Sequence, residues 1–94
     1  HHPRFSSGNH GDNPATAALW AALTEAGAEL VLGGHDHHYE RFAPQTAAGV
    51  ADPLGLRQFV VGTGGKNHYA VSSARPNSEV GDGNTHGVLE LTLG

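Results

Sequence analysis

The 94-residue chain has no cysteine and no methionine. Without cysteine there can be neither a disulfide staple nor a thiolate metal site, and the redox compartment stays open. Aromatic residues are scarce, with three Phe, two Tyr and one Trp, so any apolar core must be thin. Domains of this length are marginally stable even with a good core. Positive charge is also short: five Lys and Arg stand against nine Asp and Glu, for a net charge of −4. That leaves no basic footprint and argues against nucleic acid or an anionic membrane as partner. No apolar run approaches the ~20 residues of a membrane span, and no signal-peptide pattern is visible. The length allows at most one small domain. Fourteen Gly and five Pro point to a loop-rich one.

What the chain has in excess is histidine, at positions 1, 2, 10, 35, 37, 38, 68 and 86. The opening His1-His2 could be read as an affinity-tag remnant, but Pro3-Arg4-Phe5 does not look like vector sequence. The chain starts abruptly and without Met, which suggests a processed piece or a fragment of something longer.

Residues 1–12 are polar and turn-forming. Ala15, Ala18, Leu19, Ala22, Leu23 and Ala26 then follow the i, i+3, i+4 spacing of an amphipathic helix. Asn13 or Asp12 can cap it, Pro14 suits its first position and Gly27 its end. The spacing predicts a helix over 14–26 that packs through Leu19 and Leu23. Residues 29–32 (ELVL), stopped by Gly33-Gly34, read as a buried strand. A loop is expected over 43–56, a second strand over 57–63 and a long excursion over 66–85. Alternation from Val88 predicts a third strand over 87–93. The order helix, turn, strand, glycines describes an α/β layer, in which reactive groups gather at the carboxyl ends of strands. One helix and three strands would leave sheet edges and faces uncovered, so another half of the domain is expected upstream of His1.

The histidine cluster begins at such a strand end, in GGHDHHYERF, residues 33–42. Neutral imidazole suits Zn, Fe, Mn and related ions. A polar surface turn is the plain alternative for His35-Asp36-His37-His38, disfavoured by the glycines and apolar strand before it. Metallo-β-lactamase-like hydrolases want His-x-His-x-Asp-His, and here Tyr39 and Glu40 take the last two places. Cupins want a Glu further from the second His than Glu40 lies, and strands rather than a helix before the motif.

A third pattern fits. GGHDHHYERF resembles the Gly-His-x-His-x-Tyr-Glu-Arg block of calcineurin-like metallophosphoesterases, in their purple acid phosphatase branch. HHPRFSSGNH resembles that branch's His-x-Pro-aromatic loop with a further His about nine positions on. FVVGTGG and THGVLELTL resemble its closing strands. The family's opening blocks, Asp-x-His, Gly-Asp-x-x-Asp and Gly-Asn-His, are absent. The resemblance therefore implies the C-terminal part of a four-layer α/β/β/α metallophosphoesterase sandwich, with the N-terminal portion of the catalytic domain as its missing partner.

The resemblance also implies roles. His1 and His35 would bind one metal ion and His37 the other, the pair being of the Fe, Zn or Mn class. His10 would contact the phosphate ester substrate or protonate its leaving oxygen. His2 would be outer-sphere or exposed, His38 a surface residue, and Tyr39, Glu40 and Arg41 structural; His68 and His86 would be satisfied or exposed. Two ions ~3.5–4 Å apart need a bridging carboxylate to offset their repulsion. Asp12, Asp36, Asp52 and Asp82 are the only aspartates, and none matches a bridging position. The expected function is dinuclear phosphate-ester hydrolysis by a longer protein, with this chain inactive alone. The rival is a stand-alone metal-binding or interaction module with one His-bound structural ion. The compartment is open, although the resembled branch is often secreted.

Overall fold

The computed structural model describes all of residues 1–94. Asn13 accepts a hydrogen bond from the Ala15 N–H, and Pro14 opens a 3-10 turn over Pro14–Thr16. The turn runs into helix α1, Ala17–Glu25. Gly27, at φ 82°, ends it, and Ala28 N–H returns to the Leu23 carbonyl at 3.0 Å. Four strands follow: β1 Leu30–Gly33, β2 Tyr39–Phe42, β3 Arg57–Val61 and β4 Ser78–Asp82. They form one mixed sheet in the order β1-β3-β2-β4, with β1 parallel to β3 and the other pairs antiparallel. The result is a small α/β fold with one short helix on a four-stranded sheet.

The helix lies where expected, but of the two leucines expected to face inward only Leu23 does. Leu19 is 62% exposed, and Ala15, Ala18, Ala22 and Ala26 are exposed with it. The core side carries Ala17, Trp20, Leu23 and Thr24. Trp20 decides the matter: it is the largest apolar side chain, its ring meets Phe5 edge-on at 5.2 Å, and its indole N–H reaches the Gln45 carbonyl at 3.2 Å. Leu19→Ala is therefore expected to change stability by less than about 0.5 kcal/mol, as at other surface sites. Leu23→Ala, packed against the core, should cost about 2 kcal/mol. Urea midpoints of the two variants check this, and the reverse order would put the other face inward.

Three further expectations need correction. The strand predicted over 87–93 is not formed. Val88 is 92% exposed and Leu93 78%, and no strand pairs with this segment. Alternation prepares a segment for a sheet, but a strand exists only where a neighbour supplies the hydrogen bonds. The excursion over 66–85 instead contains β4, which takes the place beside β2. Residues 29–32 were expected to be buried, yet β1 is an edge strand with Leu32 52% exposed.

The apolar core is only Phe5, Trp20, Phe42, Leu56 and Val60. Eight of the sixteen buried residues are polar, so cohesion depends on satisfied hydrogen bonds as much as on apolar area. Gln58 spans the gap between the sheet and the N-terminal loop: its Oε1 accepts from Arg4 N–H and its Nε2 donates to the Phe5 carbonyl at 2.6 Å. Glu40, fully buried on β2, is the hub. It accepts from Ser7 N–H at 2.9 Å, Ser7 Oγ at 2.5 Å and Ser78 Oγ at 2.6 Å, and its Oε1 lies 3.0 Å from His38 Nε2. His38, expected at the surface, is wholly buried because it pairs with this carboxylate. On the outer face Glu79 of β4 bridges Arg41 of β2 and Arg57 of β3 at 3.0 and 2.7 Å.

Candidate functional site

The chain leaves β1 through Gly33 and Gly34, and His35 then adopts φ 67°, a left-handed conformation uncommon outside glycine. Such strain costs on the order of 1–3 kcal/mol and gathers at functional positions. The bend carries the His35 ring toward the N-terminal loop. Its centroid lies 4.0 Å from those of His2 and His10 and 5.2 Å from that of His1. Gly34 N–H also donates to the His1 carbonyl at 3.0 Å, so the two segments are joined by backbone as well.

His37 turns the other way. Its ring stacks on Tyr69 at 4.1 Å, and its Nδ1 lies 2.8 Å from the Asn67 carbonyl oxygen. A carbonyl can only accept, so Nδ1 carries the proton and Nε2 keeps the lone pair. Imidazoles that bind metals are commonly held by such a bond on the other ring nitrogen. His10 is anchored in the same manner, with Nδ1 2.5 Å from Asp36 Oδ1 and its backbone N–H 3.2 Å from the same oxygen.

His1, His10, His35 and His37 all line one open cleft of about 550 Å³ at the carboxyl end of β1 and β3. The four residues singled out from sequence, spread over 37 positions, thus share one cavity. Within it His1, His10 and His35 cluster with their rings together, and His37 stands beside Tyr69. Lys66, the chain's one lysine, and Tyr69 also line it. Neither was singled out from sequence, where residues 66–85 read only as a long polar excursion.

The donor set suits part of a metal centre and not a whole one. No Asp or Glu lines the cleft, and no three His, Asp or Glu side chains are placed to hold one ion. Asp36, between the two motif histidines, is fully buried and occupied by Ser6 and His10. The imidazole chemistry fits divalent ions, while the carboxylate share would have to come from elsewhere.

The local electrostatics favour a neutral His35 and ionised Asp36 and Glu40. Loss of solvent, then the neighbouring His10 and His2, hold His35 below its ordinary 6.5. Burial works against ionised Asp36, but bonds from Ser6 and His10 outweigh it and hold the carboxyl below 3.8. Burial likewise opposes ionised Glu40, and bonds from His38, Ser7 and Ser78 overcome it, keeping the carboxyl below 4.5. In each case the unfolded chain binds protons at a higher pH than the folded one, so stability must fall on acidification. The decline is expected to begin below pH 6.5 with His35. It should steepen below pH 4.5 and run through the lowered values of Glu40 and Asp36. Urea midpoints between pH 8 and 3 test this, and equal midpoints at pH 7 and pH 4 would contradict it.

No protein-family model matches the chain, and no curated protein or solved structure matches it either.

Proposed function

We propose that this chain is the histidine-bearing part of a dinuclear metallophosphoesterase catalytic domain, similar to the purple acid phosphatase branch. The observation that carries the proposal is the common cleft of His1, His10, His35 and His37. In this reading His1 and His35 hold one ion and His37 the other, both of the Fe, Zn or Mn class. His37 is suited to this by the Asn67 carbonyl, which leaves its Nε2 lone pair free. Bound ions of this kind lower the pKa of a coordinated water and neutralise charge on phosphoryl oxygens. Lys66 adds a compact positive charge to the cleft wall for a phosphate ester. The bridging carboxylate belongs to a further portion of the domain, which also completes the sandwich.

The test is metal analysis of the complete polypeptide with a phosphoesterase screen. His35→Ala and His37→Ala are expected each to lose one ion, and not the same one, because their side chains diverge. Loss of the same ion from both would refute the two-centre assignment. The 94-residue chain alone is expected to bind metal weakly, with fewer than two ions, and to lack activity. The competing reading, a module holding one structural ion, draws on the close approach of His2 to His35 at 4.0 Å. One tightly bound ion in the isolated chain, with no activity in the complete polypeptide, would favour it.

A further inference from the structure

We propose that Asp36 is the positioning residue for His10, holding the imidazole so that Nε2 faces the cleft. The proposal rests on the reading of His10 as a phosphate-contacting or proton-donating group, and adds to it a residue with no role so far assigned. Asp36 sits inside the His-x-His segment, where an aspartate invites assignment as a ligand. It does not line the cleft, and both its oxygens are taken. Oδ2 accepts from Ser6 Oγ, while Oδ1 faces both the His10 N–H at 3.2 Å and His10 Nδ1 at 2.5 Å.

Two geometric consequences follow. A carboxylate oxygen accepts and does not donate, so the bond at Nδ1 places the proton there and leaves Nε2 as the free nitrogen. Holding the ring nitrogen and the backbone nitrogen of one residue on one oxygen also restricts rotation about Cα–Cβ. The N-terminal loop is closely fitted around the carboxylate. A Cβ added at Gly8 would lie 2.8 Å from Asp36 Cγ and 2.7 Å from His38 Cε1. Ser6 N–H is held in turn by Asp12 Oδ1 at 3.0 Å. An otherwise half-exposed loop histidine is thus fixed from its buried side. This is the arrangement by which a buried aspartate sets the tautomer and orientation of a working imidazole.

The first experiment is side-chain ¹H–¹⁵N NMR of the 94-residue chain at pH 8, comparing wild type, Asp36→Asn and Asp36→Ala. Wild type is expected to carry the His10 proton on Nδ1. Asp36→Asn keeps an acceptor and should retain that tautomer. Asp36→Ala should shift His10 toward the Nε2–H form. A wild-type His10 with its proton on Nε2 overturns the proposal even if Asp36→Ala fails to fold. The second experiment measures turnover of an alkyl phosphate by the complete polypeptide. Asp36→Ala is expected to lower kcat about 10- to 100-fold, as loss of an orienting partner does, with KM within about twofold and partial rescue by Asp36→Asn. Added to His10→Ala it should cause no further loss, since the two act as one unit. An equal loss in both backgrounds would make Asp36 merely structural and overturn the proposal. Absence of phosphoesterase activity in the wild type would remove the proposed function, while the NMR result would still decide whether Asp36 orients His10.

Discussion

Gly62→Ala is expected to destabilise the chain by about 3–5 kcal/mol, the largest loss from any single methyl group added to it. Gly62 follows β3, and its N–H donates to the His38 carbonyl at 3.0 Å. A Cβ there would lie 1.8 Å from the Asp36 carbonyl oxygen, 2.7 Å from its carbon and 3.1 Å from His37 Cα. All three are backbone atoms, so no side chain can swing away to make room. Either the end of β3 or the His35–His38 turn must retreat by more than 1 Å, since Cβ contacts under 3.0 Å essentially do not occur. Overpacking alone costs ~1–3 kcal/mol. Retreat of the turn also strains the bonds of Asp36 to Ser6 and His10, and a buried polar group left unpaired costs ~1–3 kcal/mol more. Against a total stability of about 5–15 kcal/mol the site would be lost before the fold. Gly64→Ala is the control from the same glycine run: nothing lies within 4 Å of its added Cβ, and it should be nearly neutral. Urea unfolding separates the two variants, and a Gly62→Ala loss below about 1 kcal/mol would mean that the turn yields freely.

The contrast between these two glycines shows what sequence can and cannot convey. In FVVGTGG they read alike, as stops after a strand. Only the packing of the His35–His38 turn against Gly62 distinguishes them. The helix gave up its ends to sequence because capping is local: Asn13, Pro14 and Gly27 act within a few residues. Its buried face was not legible, because AALWAAL is apolar nearly all round and its period selects no unique side. The burial of one tryptophan fixes the side. Strand β2 was hidden by an inward glutamate: Tyr39 and Arg41 share one face while Glu40 and Phe42 are buried on the other, so apolar residues and charges do not alternate cleanly. β4, with Val80 as its one apolar side chain, is specified by Ser78 on Glu40 and Glu79 between two arginines, contacts 22 to 38 residues apart. The candidate site shows the same division. Its histidines were legible as motif positions, whereas the carboxylates that anchor His10 and His38 act through bonds to a loop some 30 residues earlier.

His10→Ala, made in the complete polypeptide, is expected to leave metal content intact and to reduce turnover of alkyl phosphates by about 10²–10⁴-fold, the usual contribution of a general acid. His10 is not among the residues assigned as ligands, and its Nδ1 is held by Asp36. Its ring does lie 4.0 Å from that of His35, so it stands within the site without belonging to the assigned donor set. A protonated imidazole, carrying a proton on Nε2 as well as on Nδ1, can bond a phosphate oxygen or give that Nε2 proton to the departing alkoxide, and the leaving group tells these apart. An alkoxide is a strong base and leaves poorly without a proton, so loss of the acid slows it severely. A nitrophenolate is weakly basic and departs unaided, so the same variant should lose little against nitrophenyl phosphate. A histidine that only binds phosphate would serve both substrates alike, and equal losses would assign that role. Loss of an ion would place His10 among the ligands. Unchanged turnover for both esters would leave it an exposed loop residue, and with it would fall any catalytic purpose for the bond that Asp36 makes.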